Sequence, residues 1–455
     1  MKRWTPPALL FAACCLRCSL AASDLAIDPA KIIGESSNFL KKHEPEMSES
    51  EQAVYEKVAP ILAARPAFAL KVLNAMTASS DPNARSSPAF EFMMANAVYV
   101  AGDYPLAEAK YKSAVERNPS FIRAWNNLGV LYYVQDRYAE AVPCFSRSVT
   151  LGDHDPTTFG LLGNSFEKSG NAVSAEMAYM QALAGDPANI NWTEGLLRIY
   201  LAEKQHAKAE TLVQTLLKNH PREPRYWQTY ATLLISCDRK MEAIALMDRM
   251  RATGLALTED LALLADLYVE QRMTSDALAT FARLAAVQPL LAEQKLLRFA
   301  NVLIAEKVWS DAATVLGVLG KTQLSVPGRI ACREARVELE IARKNWPVAK
   351  EELELIIKEA PSNGNAWIGL GRVYLADTEQ AKAAEAFEHA YKLPESSYRA
   401  SLALANIEFK NRRYVQCLGY LEHALGIQKS TTVENFRDQV KNLIPQEKLS
   451  TLSNL

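Results

Sequence analysis

Glycine and proline are scarce in this chain, at 18 and 21 of 455 residues. That excludes a collagen-like or Pro/Gly-rich disordered architecture and requires short connections between long regular elements. Charge of one sign is also missing. Lys and Arg total 51 against 52 Asp and Glu, for a formal net charge of -1, so the basic excess that nucleic-acid binding needs is absent. Beyond the first residues no run reaches the ~18 apolar residues of a membrane helix, and no transmembrane segment is expected in the mature chain. Outside the N-terminal segment only Cys144, Cys237, Cys332 and Cys417 occur, 85 to 95 residues apart and with no CxxC pair among them. Neither a disulfide framework nor a zinc site fits that spacing, and the four read as small buried apolar residues. Phosphate-binding, dinucleotide-binding, zinc-protease and nucleophile-elbow motifs are all lacking. The six histidines are scattered, and Glu351, Glu352 and Glu354 read as a solvated helix face. No catalytic residue, cofactor or metal is expected.

The first residues read as a targeting segment. Lys2 and Arg3 precede an apolar stretch from Pro6 to Leu16, and Ala21, Ala22 and Ser23 suit a signal-peptidase cut. Residues 1–22 are therefore expected to be a signal peptide, and the mature protein to be exported, periplasmic or secreted. Cys14, after Phe11-Ala12-Ala13, offers an alternative use of the same segment as a lipid anchor.

What is abundant is a period of 34. Ala107, Ala141, Ala175, Ala209, Ala243 and Ala277 recur at that spacing. Tyr111, Phe145, Tyr179, Val213, Met247 and Phe281 follow four residues behind them, and Val98, Tyr132, Phe166, Tyr200, Leu234 and Tyr268 form a third column. Pro119, Pro187, Pro221 and Pro289 fall near block ends. Within one block Trp125, Leu128, Gly129 and Tyr132 share one helix face, and Ala141, Phe145 and Ser148 share a second. Gly129 and Ala141 allow close approach. Such a pair cannot bury its apolar face alone, so neighbours must stack.

These residues resemble the tetratricopeptide repeat, W-x2-L-G-x2-Y, then A-x3-F, then P. The block from Ile122 matches except that Asp153 stands in place of the closing Pro; the block from Gly364 gives Trp367, Leu370, Gly371, Tyr374, Ala383, Phe387 and Ala390. The resemblance implies an all-α superhelical solenoid of about ten helix-turn-helix repeats with helical caps. Blocks run in phase from 88 to 291, slip by one residue near Glu293, and meet a longer connection at Gly320 to Gly328. The expected organisation is a signal peptide over 1–22 and a linker and helical cap over 23–87. Repeats one to seven then occupy 88–325, repeats eight to ten 326–431, and a capping helix and tail 432–455.

The resemblance further implies a protein-binding scaffold whose first helices line a concave groove. Carried onto this chain, the groove is expected to present Asn96, Tyr99, Arg123, Asn126, Asn127, Tyr133, Asn164, Lys168, Asn191, Arg198 and Arg225, with Glu167 and Glu194 offsetting part of the charge. Later blocks would present Glu259, Asp266, Glu270, Glu334 and Glu338, and the last two Arg372, Arg399 and Lys410, so that the groove alternates in sign. The clamp with which some members grip a chaperone's C-terminal carboxylate is broken: Phe92, Thr157 and Leu161 stand where it needs cations. The expected partners are protein or peptide segments, and the expected role is a non-enzymatic adaptor. An envelope-associated, lipid-anchored scaffold for polysaccharide export or secretion is the alternative.

Overall fold

In the computed structural model, residues 45–62 and 86–444 are described, with isolated positions 68, 71–72 and 75 between them. The signal peptide, Cys14 and the tail from 445 on lie outside the described residues. Among those described there are 22 α-helices. The chain divides into two compact units, one ending at Leu255 and the other beginning at Ala256.

Unit 1 holds α1 (Glu49–Leu62) and five helix pairs. These are α2 (Pro88–Val100) with α3 (Tyr104–Arg117), α4 (Ile122–Val134) with α5 (Tyr138–Thr150), α6 (Pro156–Lys168) with α7 (Ala172–Gly185), α8 (Ile190–Ala202) with α9 (His206–Asn219), and α10 (Pro224–Ser236) with α11 (Lys240–Ala252). Unit 2 holds five more: α12 (Thr258–Glu270) with α13 (Thr274–Val287), α14 (Pro289–Ala305) with α15 (Trp309–Leu319), α16 (Val326–Ala342) with α17 (Trp346–Glu359), α18 (Gly364–Ala376) with α19 (Gln380–Tyr391), and α20 (Pro394–Lys410) with α21 (Tyr414–Ile427). A last helix, α22 (Thr431–Asn442), follows. The fold is the all-α tetratricopeptide-repeat solenoid that the residue pattern implied.

Each pair closes for the reasons its columns suggest. The alanines at 107, 141, 175, 209, 243 and 277 are fully buried, and the same slot in the four later pairs of unit 2 is taken by Ala312, Ala349, Ala383 and Cys417. Cys417 thus serves as a small apolar residue, and burial pushes its thiol up to about 11. A β-carbon on Gly129 would sit 2.8 Å from the Phe145 ring, and one on Gly371 2.6 Å from the Phe387 ring. The missing side chain of the first helix is the space that the aromatic of the second fills.

The turn between paired helices reverses through one left-handed residue, at Gly102, Asp136, Gly170, Lys204 and Asp238 in unit 1 and at Arg272, Lys307, Lys344, Thr378 and Arg412 in unit 2. Helix starts are capped by Ser87, Asp103, Asp155, Asn171, Asn189, Ser325 and Asn363, each accepting a bond from a first-turn N–H. Block ends gain a tie that spans two blocks: the Trp125, Trp227 and Trp367 indoles donate to the carbonyls of Pro119, Pro221 and Pro361 at 3.0, 2.9 and 3.0 Å. The ends of the array are covered. Val58 of α1 packs against Phe90, Met94 and Ala97, and Val433 and Val440 of α22 pack against Cys417, Leu418 and Leu421. Terminal repeats need such covers to keep their apolar faces out of water.

Candidate partner-binding face

The first helices of unit 1 carry the eleven residues expected to line a groove, and the structure ties four of them to one another and two more to the neighbouring glutamates. Tyr111 Oη donates to Asn96 Oδ1 at 2.6 Å, and Asn127 Nδ2 donates to the same oxygen at 2.9 Å. Tyr133 Oη donates to Asn164 Oδ1 at 3.1 Å. Arg198 grips Glu167 with two bonds, Nε to Oε1 at 2.8 Å and Nη2 to Oε2 at 3.0 Å. Arg225 Nη2 lies 2.9 Å from Glu194 Oε1, which also accepts from Tyr226 Oη. Each of these ties between first helices joins positions 31 or 32 apart, about one helical turn short of the repeat, so each first helix is stitched to the next.

Burial separates the candidates further. Asn127 and Asn164 are 4 % exposed and Tyr99 8 %, so they belong to the lattice beneath the face rather than to its surface. Asn96, Arg123, Asn126, Tyr133, Asn191, Arg198 and Arg225 are half-buried, and Lys168 is exposed. The Arg123 guanidinium sits 4.9 Å above the Phe92 ring, a cation–π contact. Lys168 has no ion-pair partner and the Asn191 side chain no hydrogen bond among the described residues.

Pairing offsets part of the expected alternation of sign. Arg198 and Arg225 are offset by Glu167 and Glu194, and Glu194 is only 2 % exposed. In unit 2 Asp266 is paired with Lys295 at 2.5 Å, Glu334 accepts from Asn363 at 2.9 Å, and Arg399 donates to Asn365. Charges three or four positions apart read as solvated along one helix, but neighbouring helices supply partners that a single-helix reading omits.

Two groups escaped the sequence reading. Asp153, where the repeat pattern has proline, is 1 % exposed. Its Oδ2 accepts from Ser148 Oγ (2.7 Å), Thr158 Oγ1 (2.9 Å) and Asn126 Nδ2 (2.9 Å), and its Oδ1 from the Asp155 N–H (3.0 Å). A fully satisfied carboxylate closes this block instead of a Pro carbonyl. Glu352, expected on a solvated face, is 6 % exposed and bound by Arg333 and Arg336. The spacing of Arg329, Arg333 and Arg336 on one helix face was the available signal. Among the described residues no group of three or more His, Cys, Asp or Glu is placed to hold a metal ion, and no helix is long and apolar enough to cross a membrane.

Comparison with known proteins matches this pattern. One family model described as tetratricopeptide repeat matches residues 92–156 and 334–397, and a second of the same description matches 167–233. Cellulose synthase operon protein C of Pseudomonas fluorescens is 25% identical over 367 residues, which is 67% of this chain and 28% of that protein. Cytochrome c-type biogenesis protein CycH of Pseudomonas aeruginosa is 32% identical over 121 residues, 25% of this chain and 30% of that one. The chain therefore spans under a third of the length of either relative. Among solved structures, a tetratricopeptide repeat protein from Parabacteroides merdae covers 54% of this chain and 97% of its own, at 15% identity and a TM-score of 0.36. Yeast Tom70 covers 86% and 95% at 12% identity and a TM-score of 0.32. At those scores the likenesses add nothing to the repeat signature itself.

Proposed function

Because the chain is a tetratricopeptide-repeat protein, we propose that it is a non-enzymatic adaptor, exported from the cytoplasm, that holds protein or peptide segments along the first-helix face of unit 1. The observation that carries this reading is the stitched lattice just described. Its side chains are ordered by one another before any partner arrives, so binding loses little side-chain entropy, and a preorganised face gains affinity mainly by avoiding that cost. Lys168 and Asn191 supply the unspent charge and hydrogen bonds, and the half-buried Tyr133 and Arg123 supply flat contact area. Export rests on the leader-like residues 1–22.

The test is partner capture from native cells by crosslinking and mass spectrometry, comparing the parent with Lys168→Glu plus Asn191→Asp. Neither substitution touches a lattice bond, so the thermal midpoint is expected to hold while the captured partner is lost. Unchanged capture removes these two residues from the site. Arg198→Glu, by contrast, sets a carboxylate against Glu167 and is expected to lower stability as well.

A second reading is favoured by one observation, the likeness to a protein of a cellulose synthase operon over 67% of this chain. In that reading the chain scaffolds an envelope machinery for polysaccharide synthesis or export, anchored by lipid at Cys14. Detergent-phase partitioning that disappears in Cys14→Ser supports the anchor; partitioning to the aqueous phase in the parent rejects it.

A further inference from the structure

Between α15 and α16, where the repeat register slips, unit 2 opens a pocket of about 240 Å3. It is lined by the buried Cys332 and half-buried Leu324, by Thr322 and Gln323 on the exposed side, and by Arg329, Arg333 and Arg336. Spacings of four and three place the three arginines on one stripe of α16.

Arg329 Nε donates to Glu359 at 3.0 Å, and its two Nη groups meet no acceptor among the described residues. Arg333 Nη1 donates to Glu352 at 2.9 Å and its Nη2 lies 3.6 Å from Glu359, but its buried Nε has no acceptor. Arg336 Nη1 donates to the other oxygen of Glu352 at 2.7 Å, while Nη2 reaches only the Leu316 carbonyl at 3.4 Å. Glu352 thus fixes two guanidiniums from behind, so their conformational cost is met within the fold.

The lining of the pocket holds three guanidiniums and, among the described residues, no carboxylate. Glu352 and Glu359 pair with them from outside the lining, and Glu293 accepts from the Ser325 N–H and hydroxyl at 2.8 and 2.6 Å at the start of α16. The local charges therefore balance, and the ligand is selected by the unspent N–H donors rather than by an excess charge. Burial raises the Cys332 thiol, which keeps it neutral. A carboxylate, with two coplanar acceptor oxygens, suits unspent donors of planar guanidiniums, and a dianion does not suit a charge-balanced site; Leu324 and Cys332 offer apolar contact beside it. The volume exceeds that of one water several-fold.

From this geometry we infer that the pocket is a carboxylate-binding subsite that takes an acidic side chain or the C-terminal carboxylate of a bound peptide. It rests on the protein-binding reading above but lies apart from the unit 1 face. The site is built from the slip that sets unit 2 apart.

The test uses the full mature chain and a fluorescein-labelled hexapeptide ending in Leu-Glu. Its companions are the C-terminally amidated form, a form ending in Leu-Gln, and an amidated Leu-Gln form, read by anisotropy at low salt. Gln323→Glu places a negative charge at the mouth without touching any arginine bond, and Arg329→Gln removes the guanidinium with the most unspent donors. Binding of the acidic peptide is expected to weaken about tenfold or more in Gln323→Glu and severalfold in Arg329→Gln, with thermal midpoints held. The amidated and Gln-ending forms tell which carboxylate is used, and the doubly neutral form is expected not to bind. Equal binding of the doubly neutral peptide, affinity unchanged in Gln323→Glu, or no binding of any peptide at millimolar concentration overturns the subsite. Lys168→Glu plus Asn191→Asp is expected to leave this peptide unaffected, so failure here and failure of the unit 1 reading are distinguishable.

Discussion

In unit 1 the left-handed turn residue falls at positions 102, 136, 170, 204 and 238, a constant advance of 34; in unit 2 it falls at 272, 307, 344, 378 and 412, so two intervals are longer. The extra residues go to the first helices and the connection before one of them. The first helices of unit 1 have 13 residues, whereas α14 and α16 have 17. The small-residue slot nevertheless stays buried throughout, at Ala312, Ala349, Ala383 and Cys417. The closed object is therefore the helix pair, held by one close contact, while the join between pairs tolerates insertion. In unit 1 that join is laced by charge: Glu108 with Arg137 and Glu140, and the same trio at Glu210, Arg239 and Glu242. In unit 2 the longest insertion leaves a pocket and a buried carboxylate instead.

The largest expected effect would break the claim that the pair is common to both units. Ala141→Arg in unit 1 and Ala383→Arg in unit 2 each force a charge into a fully buried slot, at a cost of ~3 kcal/mol or more. Chemical denaturation of both variants checks this, and a tolerant Ala383→Arg would show that unit 2 packs by another rule. Next in size is Asp153→Ala. It removes the acceptor of the buried Ser148 and Thr158 hydroxyls in a site that is 1 % exposed and is expected to cost ~2–3 kcal/mol. A near-neutral result would mean that a proline-type block end needs no polar closure.

Acid sharpens the electrostatic half of the comparison. Arg137 holds the Glu108 carboxyl at about 2, below its ordinary 4.5, and hydrogen bonds from Arg239 and Lys208 lower Glu210 and Glu176. Their contribution to stability is present above the ordinary value and is lost as pH falls toward the depressed one. Hydrogen exchange, corrected for intrinsic rate, is expected to show unit 1 loosening before unit 2 between pH 4.5 and 2. Arg137→Gln should flatten that dependence by about 1 kcal/mol, since Glu108 is partly screened by solvent. Loosening of unit 2 first would reverse the assignment.

The smallest effects lie in the turns. Thr378 holds φ +63°, a conformation unfavourable for a β-branched residue, whereas Gly170 holds φ +80° at a turn of the same kind in unit 1. Thr378→Gly is expected to raise stability, and Gly170→Ala to lower it, by ~1 kcal/mol each, read as shifts of the denaturation midpoint. Equal and opposite shifts would show the two turns to be equivalent despite the different register.

Much of the helix pairing was legible because its information is local. A residue that must be small, as at Ala141 or Gly129, and one that must fill the gap, as at Phe145, recur at a fixed offset whatever surrounds them. The candidate face was legible only as positions. Asn96, Asn164, Arg198 and Arg225 were found on the first helices, but their mutual bonds link one block to the next, and no single block encodes them. Asp153 looked like a departure from the pattern, and Glu352 looked like a solvated charge, because the groups that satisfy them come from other helices.

By itself, then, the amino-acid order determined the repeat, its 34-residue step, its places of slip and the small-to-aromatic complementarity that closes each helix pair, since all of these follow from side-chain volume and helical spacing. Tertiary structure alone decided which polar groups remain free to meet a partner. A hydrogen bond or ion pair depends on which atoms of neighbouring repeats come within about 3 Å, and that distance is set by stacking, which no single block contains.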